Sequence, residues 1–122
     1  MKILIVDDDE MSVTVITAIL RMAGYAEVAI ARDGREGLEK VRAEHPDLVL
    51  LDVMLPHMDG YEVCAAVNAD PELGLTRVII ITAQGQRSDS RNAIAAGAAA
   101  YLTKPFSPHE LLAVVKDTLA AA

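Results

Sequence analysis

Cysteine, aromatic residues, basic clusters and long apolar runs are all scarce in this 122-residue chain, and each shortage excludes something. A single cysteine, Cys64, rules out an internal disulfide and suits a reducing compartment, so the expected location is the cytoplasm. Aromatics make up 3% of a chain whose apolar share is 52%, and much of that share is alanine. Alanine is the best helix former and a poor strand former, which favours helices packed on a sheet over an all-β fold. No run approaches the ~20 apolar residues of a membrane span, and the N-terminal MKILIVDDDE turns acidic too early for a signal peptide. Lys and Arg form no cluster within a net charge of −7, so the chain alone is a poor partner for nucleic acid.

What is present is an alternation. Five β-type runs, KILIV (2–6), EVAIA (27–31), DLVLL (47–51), RVIII (77–81) and AYLT (100–103), are separated by helical patterns. Several runs are continuously aliphatic, as strands covered on both faces are. The first helical pattern, 12–23, carries Val13, Ile16, Ile19, Leu20 and Ala23, with Gly24 as its stop. The second follows Asp33–Gly34, carries Leu38 and Val41, and must end before Pro46. A third is expected over about 61–68, and an Ala-rich fourth over about 88–96, ending at Gly97. SPHE (107–110) opens the last: Ser107 suits an N-cap, Pro108 the first helical position, and Glu110 completes a capping box. Repeated β–α units imply a parallel sheet with helices on both faces, all within one domain spanning 1–122. Nothing is left over for a second domain.

The strand ends carry the chemistry. The first strand runs into Asp7, Asp8 and Asp9, the third ends at Asp52, the fourth at Thr82 and the fifth at Lys104. In an open parallel sheet these ends share one edge, where ligands bind. Clustered carboxylates repel unless a cation sits among them. Oxygen ligands suit a hard ion, and magnesium over calcium, because it binds through few carboxylates and keeps positions open for phosphate oxygens. Lys104 and the Thr82 hydroxyl add donors for a phosphoryl group. An aspartate needs no general base to act as a nucleophile, so the set reads as phosphoryl transfer onto Asp52.

LIVDDDE, VLLDVMLPHMDGYE, IIITAQ and YLTKPFSPHEL, in this order, resemble the receiver domain of two-component response regulators over essentially the whole chain. The resemblance implies a flavodoxin-like α/β fold, a (βα)5 three-layer sandwich whose five-stranded parallel sheet has the order 2-1-3-4-5. It implies Asp52 as phosphoacceptor, and Asp7, Asp8, Asp52 and the backbone carbonyl of Met54 as ligands of Mg2+, for which Mn2+ can substitute. Thr82 matches the switch hydroxyl, Lys104 the lysine that meets the phosphoryl group, Tyr101 the aromatic that changes rotamer, and Pro105 a cis proline. Met54 and Gln84 match two positions that tune access of hydrolytic water. The implied partners are a sensor histidine kinase or phosphotransfer protein as donor and an output protein. Such a chain catalyses only its own phosphorylation and dephosphorylation and is not an enzyme in the metabolic sense.

Rival readings fit less well. A haloacid-dehalogenase-like phosphatase would use Asp7 as nucleophile, with Asp9 completing its Asp-x-Asp. Met11 then stands where Thr or Val is expected, the late acidic pair is missing, and Asp52 has no role. A flavin or nucleotide module would want glycines or hydroxyls after the first strand, where DDDEM stands. A receiver-like binding module that is never phosphorylated draws no support, since every matched residue is present. Receivers that dimerise through the fourth helix, fifth strand and last helix often carry ion pairs there. Ala98, Ala99, Ala100 and a last helix with only Lys116 as a base point instead to a monomer that docks partners through that face. His45, His57 and His109 read as surface residues, Asp9 as no ligand, and Cys64, Met11, Met22, Met58, Tyr25 and Tyr61 as packing residues.

Overall fold

A computed structural model describes residues 1–53, 55, 58–83 and 95–121. Its elements are β1 (Lys2–Val6), α1 (Glu10–Met22), β2 (Glu27–Ala31), α2 (Gly34–Glu44), β3 (Leu48–Asp52) and α3 (Gly60–Ala69). A 3-10 turn (Pro71–Leu73), β4 (Arg77–Ala83), β5 (Ala100–Lys104) and α4 (Pro108–Ala120) follow. The five strands are all parallel in the order β2-β1-β3-β4-β5. This is the flavodoxin-like arrangement that the resemblance implies. Of the Ala-rich segment expected to be helical over 88–96, only Ala95 and Ala96 lie among the described residues, and both are helical.

Pleating sorts the strands into two cores. Ile3, Ile5, Leu48, Leu50, Ile79, Ile81 and Leu102 pack against Val13, Ile16 and Leu20 of α1 and Leu111 and Val115 of α4. Leu4, Val6, Val49, Leu51, Val78 and Ile80 face the other way, onto Leu38 and Val41 of α2 and Val63, Cys64 and Val67 of α3. That is why the inner strands are aliphatic throughout: both of their faces are covered, and each fully buried Leu or Ile contributes about 1.5–3 kcal/mol. Edge strand β2 is less covered, and Val28 to Ile30 are only half-buried. Burial pushes the Cys64 thiol up to about 11, in keeping with a packing role.

Helix starts follow capping chemistry. Asp9, Asp33, Asp59 and Ser107 cap α1, α2, α3 and α4, each accepting a backbone N–H of the first turn. The Ser107–Glu110 capping box is complete in both directions. Gly24, at φ 98°, ends α1 in the conformation glycine adopts without strain. One expectation fails. Met11 and Met22 are 74% and 89% exposed and belong to neither core, because the buried stripe of α1 is 13, 16, 20 and each methionine sits two residues off it. Met58, Tyr25 and Tyr61 do pack against the cores.

Candidate functional site

Register alone brings the acids together. Val6 pairs with Leu51, so Asp7 and Asp52 are the next residues on adjacent strands at the carboxyl edge. Asp52 in turn pairs with Ile81, and Ile81 with Leu102, so the pleat sets Lys104 two residues further on the same face. Carboxylate oxygens of Asp7, Asp8 and Asp52 all lie within 4.8 Å of one another. The Lys104 ammonium stands 3.4 Å from Asp7 Oδ2 and 3.6 Å from Asp52 Oδ2.

Burial grades across the cluster. Asp7 is 2% exposed, its N–H donating to the Ala31 carbonyl at 3.0 Å and its Oδ1 accepting from the Asp9 N–H at 2.9 Å. The Asp52 side chain is 13% exposed and Asp8 is open to solvent. Asp9, one residue further, turns its carboxylate to α1, accepting from Met11 N and from Ser12 Oγ at 3.0 Å. That is why it is absent from the cluster. Three carboxylates of which one is inside and one outside form a cup open on one side. Such a set fits a hard divalent cation, since each offers an oxygen and the open side leaves positions for further ligands.

Not every expected site residue joins the cup. Thr82 is buried in β4, one residue beyond Asp52's register partner, and shares the pleat of Val78 and Ile80. Tyr101 is exposed on β5. The Lys104–Pro105 bond is cis. Met54, His57 and Gln84 lie outside the described residues. Gly60, the first residue of α3, lies close against the end of β3. Its N–H donates to the Val53 carbonyl at 3.0 Å, and a Cβ there would fall against the backbone carbonyl of Asp52. Ser12, which the motifs do not single out, accepts from Lys104 Nζ at 3.4 Å. No local pattern marks it in the sequence, because the contact spans 92 positions.

The chain matches the response regulator receiver domain over residues 3–116, and it belongs to that family. It is 43% identical over 118 residues to the alkaline phosphatase synthesis transcriptional regulatory protein PhoP of Bacillus subtilis (strain 168), covering 97% of this chain and 48% of that protein. The chain thus spans about half the length of the curated relatives it matches. A putative response regulator from Chloroflexus aurantiacus J-10-fl superposes with a TM-score of 0.93 at 41% identity, covering 98% of this chain and 97% of that one. The receiver domain of the sensor histidine kinase PA1611 from Pseudomonas aeruginosa PAO1 superposes with a TM-score of 0.89 at 32% identity, covering 98% of each chain. That neighbour holds a magnesium ion in its active site cleft. This chain is a receiver domain, the phosphoacceptor module of two-component signalling.

Proposed function

We propose that Asp52 is the phosphoacceptor, taking a phosphoryl group from a histidine kinase or phosphotransfer protein. The observation that carries this reading is the meeting of Asp7, Asp8 and Asp52 within 4.8 Å, with Lys104 against two of them. An Asp52 oxygen attacks phosphorus, the bond from phosphorus to the donor breaks, and the donor leaves with the electron pair. Of the three clustered acids, Asp52 is the one that combines partial exposure with a strand end that fixes its direction. Asp7 is enclosed and tied to Lys104, and Asp9 is engaged as a helix cap, which disfavours a phosphatase built on that pair.

Asp7, Asp8 and Asp52, with the Met54 carbonyl, would hold Mg2+, and Mn2+ meets the same oxygen set. A bound ion of this kind offsets carboxylate repulsion and neutralises phosphoryl charge. Lys104 and the Thr82 hydroxyl take the remaining phosphoryl oxygens, and Thr82 must move off its buried pleat to do so. That movement, passed to exposed Tyr101, biases the face presented to an output protein. The chain acts as a monomer, without direct contact to nucleic acid or membrane; among the described residues no helix is long and apolar enough to cross a membrane. Intact mass after incubation with a small acyl phosphate tests the core of this. The expected result is one phosphoryl addition to the wild type that needs Mg2+ and disappears in Asp52→Ala. Addition that survives in Asp52→Ala would remove the assignment.

A further inference from the structure

The contacts around Lys104 close into a ring that the phosphoacceptor role does not require. Asp9 N–H donates to Asp7 Oδ1 at 2.9 Å, and Ser12 Oγ donates to Asp9 Oδ2 at 3.0 Å. Lys104 Nζ then donates both to Ser12 Oγ and to Asp7 Oδ2, each at 3.4 Å. With its one proton committed to Asp9, the Ser12 hydroxyl turns a lone pair to the ammonium.

Among the described residues the ammonium thus has two hydrogen-bond acceptors, Asp7 and Ser12, each at 3.4 Å, and an ion pair with Asp52 at 3.6 Å. All are longer than the roughly 2.7–2.9 Å of a charge-assisted hydrogen bond. Lys104 is suspended among three partners instead of collapsed on one. Two of the three are the acids that must stay available, Asp52 as nucleophile and both as ligands of a cation.

We infer that Ser12 is a positioning residue that draws Lys104 towards α1 and so keeps Asp52 and Asp7 from being closed off by a short ion pair. The inference rests on the reading of Asp52 given above. Without the Ser12 oxygen, the protein acceptors left to the ammonium among the described residues are carboxylates, with solvent on its exposed side. The ammonium settles onto those carboxylates, occupying the lone pairs that phosphorus and a divalent cation need. Ser12 and Lys104 share the wall of a groove of about 390 Å³ with Val15 and Phe106, so a methyl group added at residue 12 has room.

The test compares the wild type, Ser12→Ala, Ser12→Thr and, as a control, Thr14→Ala, a change at an exposed residue of the same helix. Three quantities are read: the rate of phosphoryl uptake from a small acyl phosphate at saturating magnesium, the calorimetric Kd for magnesium without donor, and the melting temperature. Ser12→Ala is expected to slow uptake about tenfold and weaken magnesium binding severalfold. Its melting temperature should not fall, because alanine is the better helix former. Ser12→Thr, which keeps the hydroxyl, is expected to restore both values, and Thr14→Ala to change neither. Uptake and magnesium binding unchanged in Ser12→Ala, or no rescue by Ser12→Thr, would overturn the inference. Should the wild type itself take up no phosphoryl group, the Asp52 assignment fails, and the magnesium titration alone decides the role of Ser12.

Discussion

At the amino ends of the strands, Lys2 meets Glu44 at 2.6 Å while its backbone N–H donates to Asp47 at 2.8 Å. At the carboxyl ends, the Lys104 ammonium stands between two carboxylates with the third within 4.8 Å of both. The sheet is the same at both ends, and so is the supply of acidic side chains. What differs is pairing. A charge matched one to one in solvent is a surface detail worth little, whereas carboxylates gathered at a half-buried edge repel one another unless a cation sits among them. An isolated ion pair thus stands at one end, and a carboxylate cluster that could hold a cation at the other.

Substitutions sharpen this contrast, beginning with the sheet body between the two ends. Leu50→Ala, at a fully buried position, should lower unfolding stability by about 3 kcal/mol in urea melts, with both ends affected alike. Lys104→Met comes next. It leaves enclosed Asp7 without its ammonium, an expected loss of about 1–2 kcal/mol, moderated because Lys104 is 29% exposed. Added magnesium should narrow that deficit, since a cation replaces the lost charge; a deficit indifferent to magnesium would break the contrast.

The smallest effect belongs to the amino end. The hydrogen bond from Lys2 holds the Glu44 carboxyl below its ordinary value of 4.5, and the same contact holds Lys2 above its ordinary 10.5. A lowered carboxyl contributes stability above its unfolded value and loses it as pH falls through the folded one. Glu44→Gln should therefore melt slightly below the wild type at neutral pH, and the gap should close on acidification past pH ~4. A gap that widens in acid would contradict the pairing.

Much of this was legible in the sequence for physical reasons. Buried parallel strands must be aliphatic, so KILIV and RVIII stand out, and Ser107–Glu110 is a local signal that needs no tertiary context. Strand order came only with the family resemblance, because spacing does not say which strands are neighbours. Boundaries moved where side chains found other work. Asp47 stays out of β3 and accepts from Lys2, while β4 runs two residues past Ile81 to Ala83. The Pro71–Leu73 turn was too short to show periodicity. Met11 and Met22 were misread because methionine fills gaps in cores, yet on α1 the stripe geometry overrides composition. The ring through Ser12 was invisible for a different reason. It joins residue 12 to residue 104, and only the sheet register brings them together.

The most direct measurement is to locate the phosphoryl group. After incubation with a small acyl phosphate and magnesium, borohydride reduces an aspartyl phosphate to homoserine, which peptide mass mapping reads at single-residue resolution. Homoserine is expected at residue 52 and nowhere else. Homoserine at residue 7, or phosphoryl uptake that borohydride does not convert at residue 52, would contradict the Asp52 assignment.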